Sequence, residues 1–155
     1  MNRSKRSTLQ AAGATGIFAA LVAVGFIKPT IASAGAIEDA FKAKGATAGL
    51  KALGAEDASL SDKVTLKAPD IAENGAVVPV AVSSSLDNVE MIAVIVDKNP
   101  NSLTGAFEIL EGTPADITMR VKMGQSSDII ALVKADGKFY MARKEVKVTL
   151  GGCGG

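Results

Sequence analysis

The chain has no histidine and no tryptophan, and only one cysteine and one tyrosine among its 155 residues. Without histidine there are no imidazole metal sites and no Ser-His or Cys-His pairs for nucleophilic catalysis within the chain. A single cysteine cannot close an internal disulfide. With five phenylalanines and one tyrosine as its aromatics, the chain must fill its core with Val, Ile, Leu, Met and Ala. It has almost no platforms on which single-stranded bases stack. Acidic residues are missing from the first 34 positions; all 16 lie later, whereas Arg3, Lys5, Arg6 and Lys28 lie within them. Beyond Ala34 the balance is 13 basic to 16 acidic groups, a net charge of −3. That is the wrong sign for the basic footprint of a nucleic-acid binder. No nucleic-acid partner, cofactor or metal is expected.

What is present begins with an address. Residues 1–34 run from the basic cluster Arg3, Lys5, Arg6 through an uncharged stretch, Leu9 to Ile27, to Ala32-Ser33-Ala34. The small-x-small ending is the cleavage pattern of a secretory signal peptide, with Gly35 as the expected mature start and the periplasm as the destination. Ser4-Lys5-Arg6-Ser7-Thr8-Leu9 resembles a twin-arginine export motif, with Lys5 for the first arginine and Thr8 where Phe is usual. Sec and twin-arginine export both remain open. The uncharged stretch is near the lower length limit for a membrane span, so no stable membrane insertion is expected once it is removed.

Residues 35–60 read as a short helical segment. Ile37, Ala40, Phe41, Lys44 and Ala48 recur at helical spacing, and Gly45 and Gly49 favour two short helices over one. The period then changes to two. Val64, Leu66 and Ala68 alternate with polar residues, and 76–82 is a β-rich run in which Pro79 implies an edge strand or a bulge. Further strands are expected at 89–96, closed by the turn cluster Asp97–Asn101, and at 106–110. Ile117, Met119, Val121 and Met123 alternate with polar neighbours, one face in and one out. Strands 128–134 and 138–150 are joined by the hairpin turn Asp136-Gly137. Seven or so short strands with turns every 8–12 residues predict an all-β, immunoglobulin-like antiparallel β-sandwich over 61–150.

The sequence ends in Gly151-Gly152-Cys153-Gly154-Gly155. Four glycines give access to most of φ/ψ space and no side chains to pack, so 151–155 reads as a flexible arm that displays Cys153. A thiol reacts as thiolate, and an unperturbed cysteine has a pKa near ~8.5. No histidine or helix N-terminus stands beside Cys153 in the sequence to lower it. The residue therefore reads as a handle that is loaded and carried into other active sites, not as an enzyme's nucleophile. Five extended residues span roughly 17 Å. An unpaired cysteine in an exported chain also allows a disulfide-linked dimer through Cys153.

The ending Val146-Lys147-Val148-Thr149-Leu150-Gly151-Gly152-Cys153-Gly154-Gly155 resembles that of the SoxY family, the sulfur-carrying subunits of bacterial thiosulfate oxidation. Three internal stretches are also similar to the family: 68–80, Asp97-Lys98-Asn99-Pro100-Asn101, and Thr118-Met119-Arg120-Val121-Lys122-Met123. The resemblance covers essentially the whole chain after the leader. It implies that Cys153 is the covalent attachment point for sulfur intermediates and that the chain is a carrier, not an enzyme. It implies a SoxZ-like second subunit without a signal peptide of its own. It further implies a SoxAX-like c-type cytochrome that joins thiosulfate to the thiol, a SoxB-like hydrolase that releases sulfate and, where present, a sulfur dehydrogenase.

Two other readings use the same residues. Terminal Gly-Gly also ends ubiquitin-like carriers that hold sulfur as a thiocarboxylate on the last glycine, but those are cytoplasmic and need no preceding cysteine. An immunoglobulin-like binding module would build its groove from loops such as 97–103, which have no aromatic anchors.

Overall fold

A computed structural model describes residues 31–150 of the chain, which divides into two units, 1–34 and 35–155. Residues 1–30, most of the expected signal peptide 1–34, and the terminal Gly151–Gly155 lie outside the described residues. Helix α1 spans Ile31–Lys42 and helix α2 spans Ala46–Ala52. Nine strands follow: β1 Ser59–Leu60, β2 Val64–Lys67, β3 Ile71–Ala72, β4 Val78–Ser84, β5 Val89–Val96, β6 Leu103–Glu108, β7 Asp116–Val121, β8 Ser127–Ala135 and β9 Lys138–Val148. Among the described residues no helix is long and apolar enough to cross a membrane.

The strands form two sheets, as the alternating pattern predicts. The larger has the order β1-β9-β8-β5-β6, with β3 also pairing β9; the smaller has the order β2-β4-β7. Strand β5 shows why they stack. Its residues 91–96 are all buried, because each of its faces meets a different layer. Ile92, Val94 and Val96 join Ile129, Ala131, Val133 and Val146 against Val78, Val80, Val82 and Val121 of the smaller sheet and Met123 just past it. Met91, Ala93 and Ile95 join Leu103, Ile130 and Leu132 against Ala40, Ala46, Leu53 and Ala55 of the helical segment. The sandwich therefore carries a third layer, a lid of helix on the outer face of its larger sheet. Aliphatic side chains supply almost all of this interior, with each Val, Ile, Leu or Met worth about 1.5–3 kcal/mol when fully buried.

The helical segment breaks where expected, but its two glycines do different work. Gly45 sits between the helices at φ +79°, a conformation that disfavours any residue with a Cβ. Gly49 lies inside α2 and is needed for closeness: a Cβ there would stand 3.0 Å from the Ser102 hydroxyl. Gly45 offers no side chain to cap α2. The cap comes instead from the strand layer, where Asp97 Oδ1 accepts the Ala46 N–H at 2.7 Å. Ser102 Oγ donates to the Gly45 carbonyl at 2.9 Å, so the turn after β5 holds the helix pair from two sides.

Pro79 lies in β4, the middle strand of the smaller sheet, and not on an edge strand. The register resolves the conflict. Strand β2 pairs only with residues 81–84, whereas β7 pairs with 78–83. Pro79 thus stands in an overhang that β2 does not reach, where the chain behaves as an edge. The Asp136-Gly137 hairpin has both residues at positive φ, 49° and 72°, the pattern of a tight type I′ turn. Strands β1 and β3, two residues each, were not expected, and β1 begins within the segment read as helical.

Ile92 is fully buried between the sheets, whereas Leu60 is 72% exposed. Ile92→Ala is expected to lower the unfolding free energy by about 2–5 kcal/mol, with Leu60→Ala inside about 0.5 kcal/mol, both read by urea denaturation.

Candidate functional site at the end of the last strand

Cys153 and its flanking Gly151, Gly152, Gly154 and Gly155 lie outside the described residues. The structure describes the place from which they depart. Strand β9 is the longest in the fold, with 11 residues. It pairs with β8 from Ala135↔Lys138 to Ser127↔Val146. Its other edge is covered at two points by parallel partners, β1 at Tyr140 and Met141 and β3 at Lys147 and Val148. Between these points the Lys144 ammonium donates to the Ala68 carbonyl and pairs with Asp70 Oδ1 at 3.0 Å. On the opposite side the Arg143 guanidinium pairs with Asp128.

Past the last β8 pair, the strand is held by a different set of contacts. The Val148 N–H donates to Ser126 Oγ at 2.9 Å. The Thr149 N–H donates to the Ala72 carbonyl at 3.1 Å, and its hydroxyl donates to the Glu73 carbonyl at 3.1 Å. The Leu150 carbonyl accepts the Gly75 N–H at 2.8 Å. Gly75 is itself a bridge, since its carbonyl accepts the Met123 N–H at 2.7 Å. The Asn74 side chain turns the chain locally by accepting the Ala76 N–H at 2.9 Å. Three consecutive residues, Val148 to Leu150, are thus tied to Ser126 on one side and to the 72–75 segment on the other, up to the first glycine of the tail.

The sequence stretches singled out earlier meet at this end of the sandwich. Asn99, in the Asp97–Asn101 turn, donates to the Lys122 carbonyl at 2.6 Å and accepts the Gly124 N–H at 3.3 Å. The Lys98 N–H donates to the hydroxyl of buried Ser127 at 2.9 Å. The turn therefore braces the 122–127 loop, and that loop presents Ser126 to Val148. Arg120 and Lys122 lie on the exposed face of the β7 segment, as the alternation predicts. Ile71, Val77 and Leu150, which flank these ties in the chain, are 59%, 51% and 69% exposed.

The sequence did not point to Gly75, Asn99, Ser126 or Thr149 as a group. Asn74-Gly75 and Asn99-Pro100 are legible as turns, but what each turn holds is set by residues 23 to 75 positions away. Among the described residues no group of three or more His, Cys, Asp or Glu side chains is arranged to hold a metal. All buried side-chain polar atoms there have partners.

A family model described as "Sulfur oxidation protein SoxY" matches residues 50–153, from Leu50 through Cys153. The chain belongs to the SoxY family. Among solved structures it is similar to the sulfur carrier protein SoxY from Chlorobium limicola f thiosulfatophilum, at 32% identity and a TM-score of 0.57, over 64% of this chain and 93% of that one. Weaker likenesses, both with TM-scores of 0.39, are to an engineered protein (12% identity, 56% of this chain and 20% of that one) and to the human F-spondin reeler domain (10%, 58% and 92%). No curated protein matches the chain. The family and the sandwich agree with the resemblance carried by the terminal motif.

Asn99→Ala removes both contacts that brace the 122–124 loop. The expected cost is about 1–3 kcal/mol, seen as a lower urea midpoint together with faster hydrogen exchange at Gly124.

Proposed function

We propose that this protein is a periplasmic sulfur carrier on which Cys153 binds sulfur intermediates covalently and presents them to partner enzymes during thiosulfate oxidation. The observation that carries this reading is the family match, which runs through Cys153. The single cysteine of the chain is thereby the thiol of a sulfur oxidation protein. The solved relative is named a sulfur carrier, and the fold supports the same role. A strand secured up to Leu150 is a firm base from which a glycine-flanked thiol can be handed to another protein.

The chemistry divides between carrier and partners. In the loading step the cysteine thiolate and the outer sulfur of thiosulfate form an S–S bond. Two electrons leave to a SoxAX-like c-type cytochrome, giving a cysteine S-thiosulfonate. A SoxB-like hydrolase then adds water across the bond to the sulfonate group. Sulfate and one proton are released, and a persulfide stays on the protein. A sulfur dehydrogenase, where the organism has one, oxidises that remaining sulfur. The carrier brings a nucleophilic sulfur and reach, and its partners bring the electron acceptor and the activated water. A SoxZ-like chain completes the carrier, and export of the folded pair would give the twin-arginine-like leader a purpose.

Intact mass spectrometry of the protein from thiosulfate-grown cells is expected to show sulfonate- or sulfane-bearing adducts. These disappear with reductant and in Cys153→Ser. Unmodified protein, or a plain dimer, across growth conditions argues against the carrier reading, and an adduct on Gly155 argues for the thiocarboxylate one.

A second measurement separates a handle from an activated nucleophile. Alkylation of the isolated protein by iodoacetamide is expected to accelerate with pH up to the ordinary thiol range, about 8.5. A midpoint below about 7 overturns the handle.

A further inference from the structure

The side of the sandwich away from β1, β2 and β3 ends in two strands that each have one unpaired edge. Strand β6 ends the larger sheet and β7 the smaller. They lie side by side, since a Cβ on Gly105 would stand 3.2 Å from Met119 Cε. The Ile109 N–H donates to the Glu90 carbonyl. With the Met91↔Glu108 register, this turns the main chain of Gly105 and Phe107 toward β5 and that of Ala106 and Glu108 outward. On β7 the Ser84 N–H donates to the Ala115 carbonyl, and the same alternation turns Asp116, Thr118 and Arg120 outward. Natural edge strands are usually guarded by lysine, proline or other charges. From Leu103 to Phe107 strand β6 has no charge and no proline, and Phe107 is 38% exposed. The guarding charges sit on β7 and are split by sign, Asp116 at its start and Arg120 near its end. Both are exposed, and neither has an ion pair among the described residues.

We propose that this side is an interface with a second copy of the chain, formed by antiparallel pairing of β6 with β6 about a twofold axis at Ala106. The two Ala106 residues exchange both main-chain bonds and continue the larger sheet through the axis. Each Phe107 ring lies over its own Gly105, 3.1 Å from where a Cβ would stand, so the two rings meet near the axis and cover each other. Because Gly105 lies beside Met119, Ala106 lies beside Thr118, and the axis passes the middle of β7. It brings Arg120 of each copy to Asp116 of the other. Within one chain these residues are four positions apart on one strand, roughly 13 Å, and do not pair. A parallel arrangement sets like charges against each other. The charges thus select both the second copy and its direction. The contact needs no disulfide through Cys153, and it leaves the Leu150 ends of the two copies at opposite ends of the joined sheet.

The mature chain from Gly35, carrying Cys153→Ser so that no disulfide forms, is followed by sedimentation over a concentration series. A dimer is expected, with amide exchange at Ala106 slowing as it fills. Arg120→Asp or Asp116→Arg alone should raise the dimer dissociation constant about tenfold, because two opposed pairs become two like-charge pairs. The two substitutions together should restore it to within about threefold. Urea midpoints stay near that of the parent, since both positions are exposed on an edge strand.

Monomer at every concentration overturns the proposal. So does a dimer indifferent to the single reversals, or one that the double reversal does not rescue. The complex with a SoxZ-like subunit tests the other occupant. A two-to-two assembly that Arg120→Asp splits and the double reversal restores supports the proposal. A one-to-one pair in which Ala106 is already protected assigns this edge to that subunit and overturns it.

Discussion

The main-chain ladder of β9 is the constraint on which the rest of the molecule depends. It runs the length of β8 on one edge and takes up β1 and β3 on the other. Three separate stretches of chain are registered against one strand, and the segment just past β7 is linked to its end through Gly75 and Met123. Hydrogen bonds of this kind contribute only about 1 kcal/mol each. Their value here lies in direction, since together they bring one main chain to one exit point between the sheets.

Burial supplies the energy that this geometry directs. With so few aromatics, the interior depends on many small contributions from Val, Ile and Ala, distributed over both faces of β5 and β8. The helical layer belongs to the same scheme. It covers the face of the larger sheet that the smaller sheet leaves open, and Asp97 links the start of α2 to the turn that braces the 122–127 loop. Asp97 to Asn99 therefore serve three elements at once, the helix pair, the 122–127 loop and, through that loop, β9.

How much of this was legible in the sequence depended on the range of the interaction. Alternation at Ile117, Met119 and Val121, the left-handed turn at Asp136-Gly137 and the break at Gly45 are local, and each was readable from a few adjacent residues. Pro79 was half legible. Its chemistry correctly demanded a missing neighbour, but only the register shows that the gap lies in a central strand. The two-residue strands β1 and β3 have no period to detect and exist only because β9 offers them an edge. Ser126 is less legible still, since nothing marks one serine in Gly124-Gln125-Ser126-Ser127 as a substitute for a carbonyl. Cys153 was conspicuous for a different reason: composition alone isolates it, and the family match runs through it.

The placement of β9 also governs when the molecule can assemble. Residues 59–60 have their β9 partners 81 positions later and residues 71–72 theirs 76 positions later, and β8 has no neighbour but β5 until residues 138–148 arrive. Contacts this distant in sequence slow folding. A nascent chain that has not yet exposed β9 has a β8 with one edge open and no seat for β1 or β3. The larger sheet cannot be completed until β9 is available, so the strand that leads to Cys153 is also the one on which β1, β3 and the open edge of β8 depend.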